Sequence, residues 1–177
     1  MRKLPPTYFL GAALFWASVI FASSSGVITV GQLSRAVSGA AGGHISESGF
    51  RQFWGVFWWI FVKGWHAAEF AILYLLLRRA TPKVWIALVI AGLFAVSDEF
   101  HQLFVPARGC RASDVAIDWS GIAAAWSYAE GWLKRLRERP WILATLCAIW
   151  VTLLFLLSVQ PFGLVTLGPE RAGLASP

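Results

Sequence analysis

Between Val96 and Ser120 an otherwise apolar chain carries Asp98, Glu99, His101, Gln102, Arg108, Arg111, Asp114 and Asp118, and a second polar set, Lys63, His66 and Glu69, stands upstream. Lys63, His66 and Glu69 follow an i, i+3, i+6 spacing that places them on one third of a helix circumference. Asp98, His101 and Gln102 repeat the pattern at i, i+3, i+4, with Glu99 one step round. Such sets permit three chemistries. Lys63 and Arg108 could hold a phosphate through charge-assisted hydrogen bonds. His66 or His101, oriented by Glu69 or Asp98 with Glu99 beside them, could act as a general base near neutral pH. His66, His101, Asp98, Glu99 and Asp114 form a mixed nitrogen and oxygen donor set of the kind zinc or manganese accepts, although no HExxH or comparable metal signature accompanies them. A serine nucleophile at Ser23 to Ser25 lacks the glycine framing of a nucleophile elbow. No cofactor is identified by any motif.

The elements that must position these groups are apolar. Hydrophobic residues make up 58% of the 177, eleven are tryptophan, and the mean hydropathy is +0.63, more than the core of a soluble domain of this length requires. Five segments reach or approach the roughly 20 helical residues needed to cross a bilayer: 8–28, 53–77, 84–105, 115–133 and 141–159. The fourth is the weakest, since Asp118, Glu130 and two glycines, Gly121 and Gly131, interrupt it. The expected fold is therefore an all-α, polytopic membrane bundle in a single domain. With the amino terminus inside and the carboxyl terminus outside, nine basic residues fall on the cytoplasmic side: Arg2, Lys3, Arg78, Arg79, Lys83, Lys134, Arg135, Arg137 and Arg139. Five fall outside, Arg35, Arg51, Arg108, Arg111 and Arg171, and only Lys63 lies within a span. That bias obeys the positive-inside rule. It also accounts for the formal charge of +6 without a nucleic-acid partner, because the basic residues form short clusters and no continuous stripe.

Three further expectations complete the organisation. The stretch 31–49 reads as a Gly, Ser and Ala-rich external loop with at most one amphipathic turn, and 161–177 as a loose external tail. The loop after Val105 is short, so the third and fourth segments are antiparallel neighbours, with Asp114 at the helix N-cap and Asp118 one turn on, within reach of Arg108 or Arg111. The purely structural alternative for the polar stripe of the second segment is a Lys63 to Glu69 interaction, direct or through His66, that only locks helices together. A cleaved signal peptide ending near Ala22 to Ser25 is an alternative for the first segment. The two cysteines, Cys110 and Cys147, show no CxxC spacing.

Four stretches carry a resemblance: FASSS ending at Ser25, KGWHAAEF with Lys63, His66 and Glu69, DEFHQLFVPARG from Asp98, and DVAIDWSGIAAA from Asp114. Together, in this order and spacing, they resemble the VanZ-like family of small bacterial membrane proteins. The resemblance covers the first four segments, about two thirds of the chain. It implies a multi-pass protein of the bacterial cytoplasmic (inner) membrane and, through the family's namesake, glycopeptide resistance directed at teicoplanin. It implies no settled catalytic activity. Asp118 stands where the family commonly has Asn, Phe70 where Tyr is frequent, and His101 where the residue is more often apolar.

Residues and resemblance lead to one expectation. Lys63, His66, Glu69, Asp98, Glu99, Gln102, Arg108, Asp114 and Asp118 line a nearly charge-balanced pocket near the outer leaflet that binds or modifies an envelope lipid or lipid-linked cell-wall precursor. The competing expectation is a non-catalytic accessory subunit that packs against a larger membrane complex through its first and last segments. Transport is disfavoured by the absence of an internal repeat.

Overall fold

A computed structural model of the chain describes residues 4–106, 108–132, 139–158 and 166–167. Among these it is all-helical apart from one short strand pair. In chain order come α1 (Pro6–Ser24), α2 (Val30–Ala40), α3 (Glu47–Ala80), α4 (Val84–Gln102), β1 (Cys110–Arg111), α5 (Ala112–Ala129), α6 (Pro140–Ser158) and β2 (Thr166–Leu167).

Local sequence sets most of the ends. Pro6 occupies the first turn of α1, where its missing N–H costs nothing. Thr29 and Gln32 close a reciprocal capping box on α2. The Ser46 hydroxyl accepts the Gly49 N–H at the start of α3, Glu47 complements that end of the helix dipole, and Arg78 and Arg79 complement the other. Pro82 separates α3 from α4, and Pro106 follows the turn that ends α4.

The loop expected over 31–49 therefore contains a full helix, because the Thr29 box supplies a start signal just upstream of it. The second apolar segment, expected at 53–77, is extended at both ends to 34 residues by the Ser46 cap and the arginine-bearing terminus. The first segment stops at Ser24 instead of continuing to 28, and the third at Gln102 instead of 105. The fourth spans Ala112–Ala129 instead of 115–133. Arg2, Lys3, Lys134, Arg135, Arg137, Arg171 and the tail 161–177, except Thr166–Leu167, lie outside the described residues. Those two pair antiparallel with Cys110–Arg111.

The helices α1, α3, α4 and α5 share one core of Ala13, Ile20, Phe70, Leu73, Tyr74, Leu77, Ile122 and Ala125. On α4 the contact is a stripe of Ala87, Ala91 and Ala95, all fully buried, which lets the backbones approach closely. Two glycines set the tightest contacts. A Cβ on Gly121 would collide with the Ala67 carbonyl of α3, and one on Gly92 would meet the Trp119 ring of α5. Outside this core the surface is itself apolar: Leu10, Leu14 and Phe15 of α1, Val89, Leu93 and Val96 of α4, and Leu146, Ile149 and Leu153 of α6 are all exposed. Apolar side chains on both sides of the helices fit a hydrocarbon surround. By length and composition α1, α3 and α4 can each cross a membrane.

Candidate functional site

The polar residues gather toward one end of the core, where α1 and α4 finish and α5 begins. Arg79 lies over the Phe9 ring, which puts the foot of α3 beside the foot of α1. From Ala80 to Lys63 is a rise of about 26 Å at about 1.5 Å per residue. Here α3 presents Lys63 and His66 to α5 and Glu69 to α1.

Toward α5, Lys63 Nζ donates to Asp114 Oδ1 at 2.6 Å, with both side chains almost fully buried. One turn on, His66 Nδ1 faces Asp118 Oδ1 at 3.6 Å, beyond hydrogen-bond length. Asp118 is wholly buried. Toward α1, the Ser23 hydroxyl donates to Glu69 Oε1 at 2.9 Å, and the Trp16 indole N–H donates to the Glu69 backbone carbonyl at 2.9 Å. Ser24 donates to Asp98 Oδ1 of α4 at 2.7 Å, and Gln102 Nε2 donates to Asp98 Oδ2 at 3.0 Å. Ser25 lies 3.1 Å from His101 Nε2, and the His101 ring stacks on Phe21 at 4.2 Å.

The loop between α4 and α5 closes this end. Arg108 donates through Nε and one terminal nitrogen to the Gly26 carbonyl at 3.0 and 2.7 Å, and through the other to Gln102 Oε1 at 3.3 Å. The Arg111 backbone N–H donates to Glu99 Oε2 at 2.9 Å. Glu99 is wholly buried and close enough to Asp114, Asp118 and His66 to interact with each electrostatically. Glu69 interacts likewise with His66 and Asp98, so the two halves of the cluster are continuous.

The nine expected pocket residues thus do converge, but with different partners. Lys63 pairs with Asp114 on α5, not with Glu69. Asp114 is not an N-cap: the helix begins at Ala112, Arg111 holds the cap position, and the Asp114 carboxylate turns inward to meet the ammonium. Asp118 faces His66 and not the loop arginines, since Arg108 is held by the carbonyls of Gly26, just past α1, and of Ser23 at its end. The residues set against the two histidines are Asp118 for His66 and Ser25 for His101, in place of Glu69 and Asp98. The donor set considered for a metal is divided, with Asp98 and His101 on the serines and Asp114 on Lys63. Among the described residues no three of His, Cys, Asp and Glu stand together as a metal site.

The cap of serines was missed as a contact set. The three serines are consecutive at the end of α1, so they point in different directions around the helix, and each meets an acid or imidazole 46 to 76 residues away. The one signal was the run of three hydroxyls at the end of an apolar segment, where the nearest available partners are polar groups on neighbouring helices.

Among the described residues, five buried side-chain atoms have no hydrogen-bond partner: Tyr74 Oη, His66 Nδ1, Glu99 Oε1 and both carboxylate oxygens of Asp118. Four of the five belong to the cluster. With Lys63 and Arg108 engaged by protein acceptors, what the cluster leaves unused is acceptor capacity.

The family model described as VanZ/LLP1 matches residues 9–133, which takes in α1 from Phe9 onward, all of α2 to α5 and every member of the cluster. No curated protein and no solved structure matches the chain.

Proposed function

The chain belongs to the VanZ/LLP1 family of membrane proteins, and from that premise we propose that it binds or modifies an envelope lipid or lipid-linked cell-wall precursor in the bacterial cytoplasmic membrane. In this reading the protein crosses the bilayer five times, with its amino terminus inside, and the cluster lies toward the outer leaflet. α5 and α6 then supply the fourth and fifth crossings. The observation that carries the reading is the convergence of acids, bases and hydroxyls from α1, α3, α4 and α5 at one end of a bundle whose outward faces are apolar. Ionisable groups in such a setting are costly to keep, and typically mark a ligand or ion path. A head group would enter at the Arg108 loop while its chains stay against the exposed faces of α1 and α4. Diminished access of a glycopeptide to its lipid-linked target is the cellular effect expected.

The experiment is photo-crosslinking of the full-length protein in inner-membrane vesicles with a diazirine phospholipid, mapped by mass spectrometry. The reading expects label in 21–26 and 98–114 that excess unlabelled lipid removes. Label spread evenly over α1 and α6, with none in those two segments, would end it. A stoichiometric protein partner covering the same segments would favour the accessory-subunit reading instead.

A further inference from the structure

We propose that His66, Glu99 and Asp118 form a subsite for a primary ammonium group, carried by an amine-bearing lipid head group. The inference rests on the lipid-binding reading above and names the chemistry of the head.

The first argument is the inventory of unused atoms. Glu99 spends Oε2 on the Arg111 backbone N–H and leaves Oε1 free, while Asp118 leaves both oxygens free. Both residues are wholly buried, and His66 Nδ1, buried and unpartnered, faces Asp118 at 3.6 Å. Three carboxylate oxygens call for a group rich in N–H donors, and the imidazole nitrogen beside them accepts from such a group or donates to Asp118 according to its tautomer. Buried acceptors of this kind, left without donors, are expensive.

Charge supplies the second argument. Among the described side-chain contacts the cluster holds five carboxylates, Glu69, Asp98, Glu99, Asp114 and Asp118, against the cations of Lys63 and Arg108, with Arg111 joined to Glu99 through its backbone N–H. Lys63 belongs to Asp114, and the Arg108 fork is spent on Gly26 and Gln102. A phosphate would enter a site whose cations are engaged and whose vacant atoms repel it. A primary ammonium meets the opposite conditions, with three N–H donors and one positive charge.

The third argument is a precedent within the same cluster. A primary ammonium, that of Lys63, already sits on Asp114 at 2.6 Å, one helical turn from Asp118. The adjoining acid has no such cation. His66 is the one member of the three with exposure, 13% of its side chain, none of it at Nδ1. Rotation of this ring would then open the subsite to a head group that has entered at the Arg108 loop.

The test uses the full-length protein in nanodiscs and reads retained lipid by native mass spectrometry. The probes are phosphatidylethanolamine, phosphatidylcholine and phosphatidylglycerol. Choline carries the same positive charge as ethanolamine at its head but has no N–H to donate. The expected result is retention of phosphatidylethanolamine over phosphatidylcholine by at least about tenfold, the scale of one charge-assisted hydrogen bond. That preference should vanish in Asp118→Asn and in Glu99→Gln. In the unmodified protein, glycerophosphoethanolamine should displace the lipid better than glycerophosphocholine does, a readout independent of any variant's folding. Equal retention of all three phospholipids overturns the ammonium assignment and leaves lipid binding intact. Preference for phosphatidylglycerol, lost in Lys63→Ala, also overturns it, in favour of a phosphate site. Retention of no phospholipid above the bulk composition removes the lipid reading together with the subsite. Displacement by free ethanolamine as effective as by glycerophosphoethanolamine supports the ammonium site and overturns the claim that the amine comes from a lipid.

Discussion

Replacing Lys63 by Met leaves Asp114 with no cation in a place where water does not reach it freely, and the size of the effect follows from the geometry. The two side chains retain only 6% and 12% exposure, and the ion contact is 2.6 Å. At an effective dielectric near 20, Coulomb attraction at that separation is about 6 kcal/mol. Desolvation of both ions cancels much of this, so the intact pair contributes little net stability. Breaking it from one side is different, because the remaining charge is still buried, and a loss of about 3–5 kcal/mol is expected. Asp114→Leu should destabilise by a similar amount, by stranding the ammonium. The double variant Lys63→Met with Asp114→Leu removes both charges and should recover most of the loss. Equilibrium unfolding of the four proteins in one detergent gives the coupling energy as a double-mutant cycle. Single variants within about 0.5 kcal/mol of the parent, or a double variant whose loss is the sum of the singles, would show the buried pair to be a misreading.

Gly121→Ala should cost about 1–3 kcal/mol by overpacking, because the obstacle is the Ala67 backbone, whereas Gly92→Ala should cost less, since the Trp119 ring can swing away; thermal denaturation of both variants checks the order. Ser24→Ala removes the hydroxyl that serves Asp98 Oδ1 and should lower stability by about 1–3 kcal/mol in the same assay, while Ser18→Ala, which loses only a contact to its own helix, should lie within about 0.5 kcal/mol of the parent. Burial, reinforced by the negative charges of Glu99 and Asp114, raises the Cys110 thiol above its ordinary value. At pH 8 a smaller fraction is then thiolate than in free cysteine, so alkylation of Cys110 in a Cys147→Ser background should be slower and its rate should rise at higher pH. Glu99→Gln removes one of those charges and should shift that rise downward; an unchanged profile would contradict the proximity of Glu99 to the β1 loop.

The helices and the identity of the polar set were legible because both depend on local sequence. Apolar runs of bilayer length, Pro82 between two of them, and Lys63, His66 and Glu69 on one face of a turn-by-turn pattern require no knowledge of neighbours. Partners were not legible. Lys63 and Glu69 lie on the same helix and look like mates in the sequence, yet Lys63 meets Asp114 and Glu69 meets Ser23, because helix packing decides which faces are opposed. Gly121 is what brings α5 against α3 closely enough for Asp114 and Asp118 to reach Lys63 and His66, and a lone glycine announces no such contact. Arg108 looked like a ligand-binding cation, and its engagement by Gly26 could be foreseen only by knowing that α1 ends beside that loop. The extra length of α3 was hidden for a different reason: its first turns contain Glu47, Arg51 and Gln52, which a hydropathy reading assigns to a loop, whereas the Ser46 cap makes them helix.

That length has a geometric consequence. Thirty-four residues at about 1.5 Å each form a rod of about 51 Å, against a hydrocarbon slab of about 30 Å. Even inclined at about 40°, the upper end of observed tilts, the rod would project about 39 Å along the bilayer normal. The foot of α3 is level with the foot of α1, so the surplus emerges at the Glu47 end, bearing the stacked rings of Phe50 and Trp54 and the exposed Phe53, Phe57 and Phe61. In a bilayer of ordinary thickness this mast must either thicken the leaflet around it or carry its rings up among the glycerol and phosphate groups. Any amphiphile approaching the buried acids from that side would pass along it.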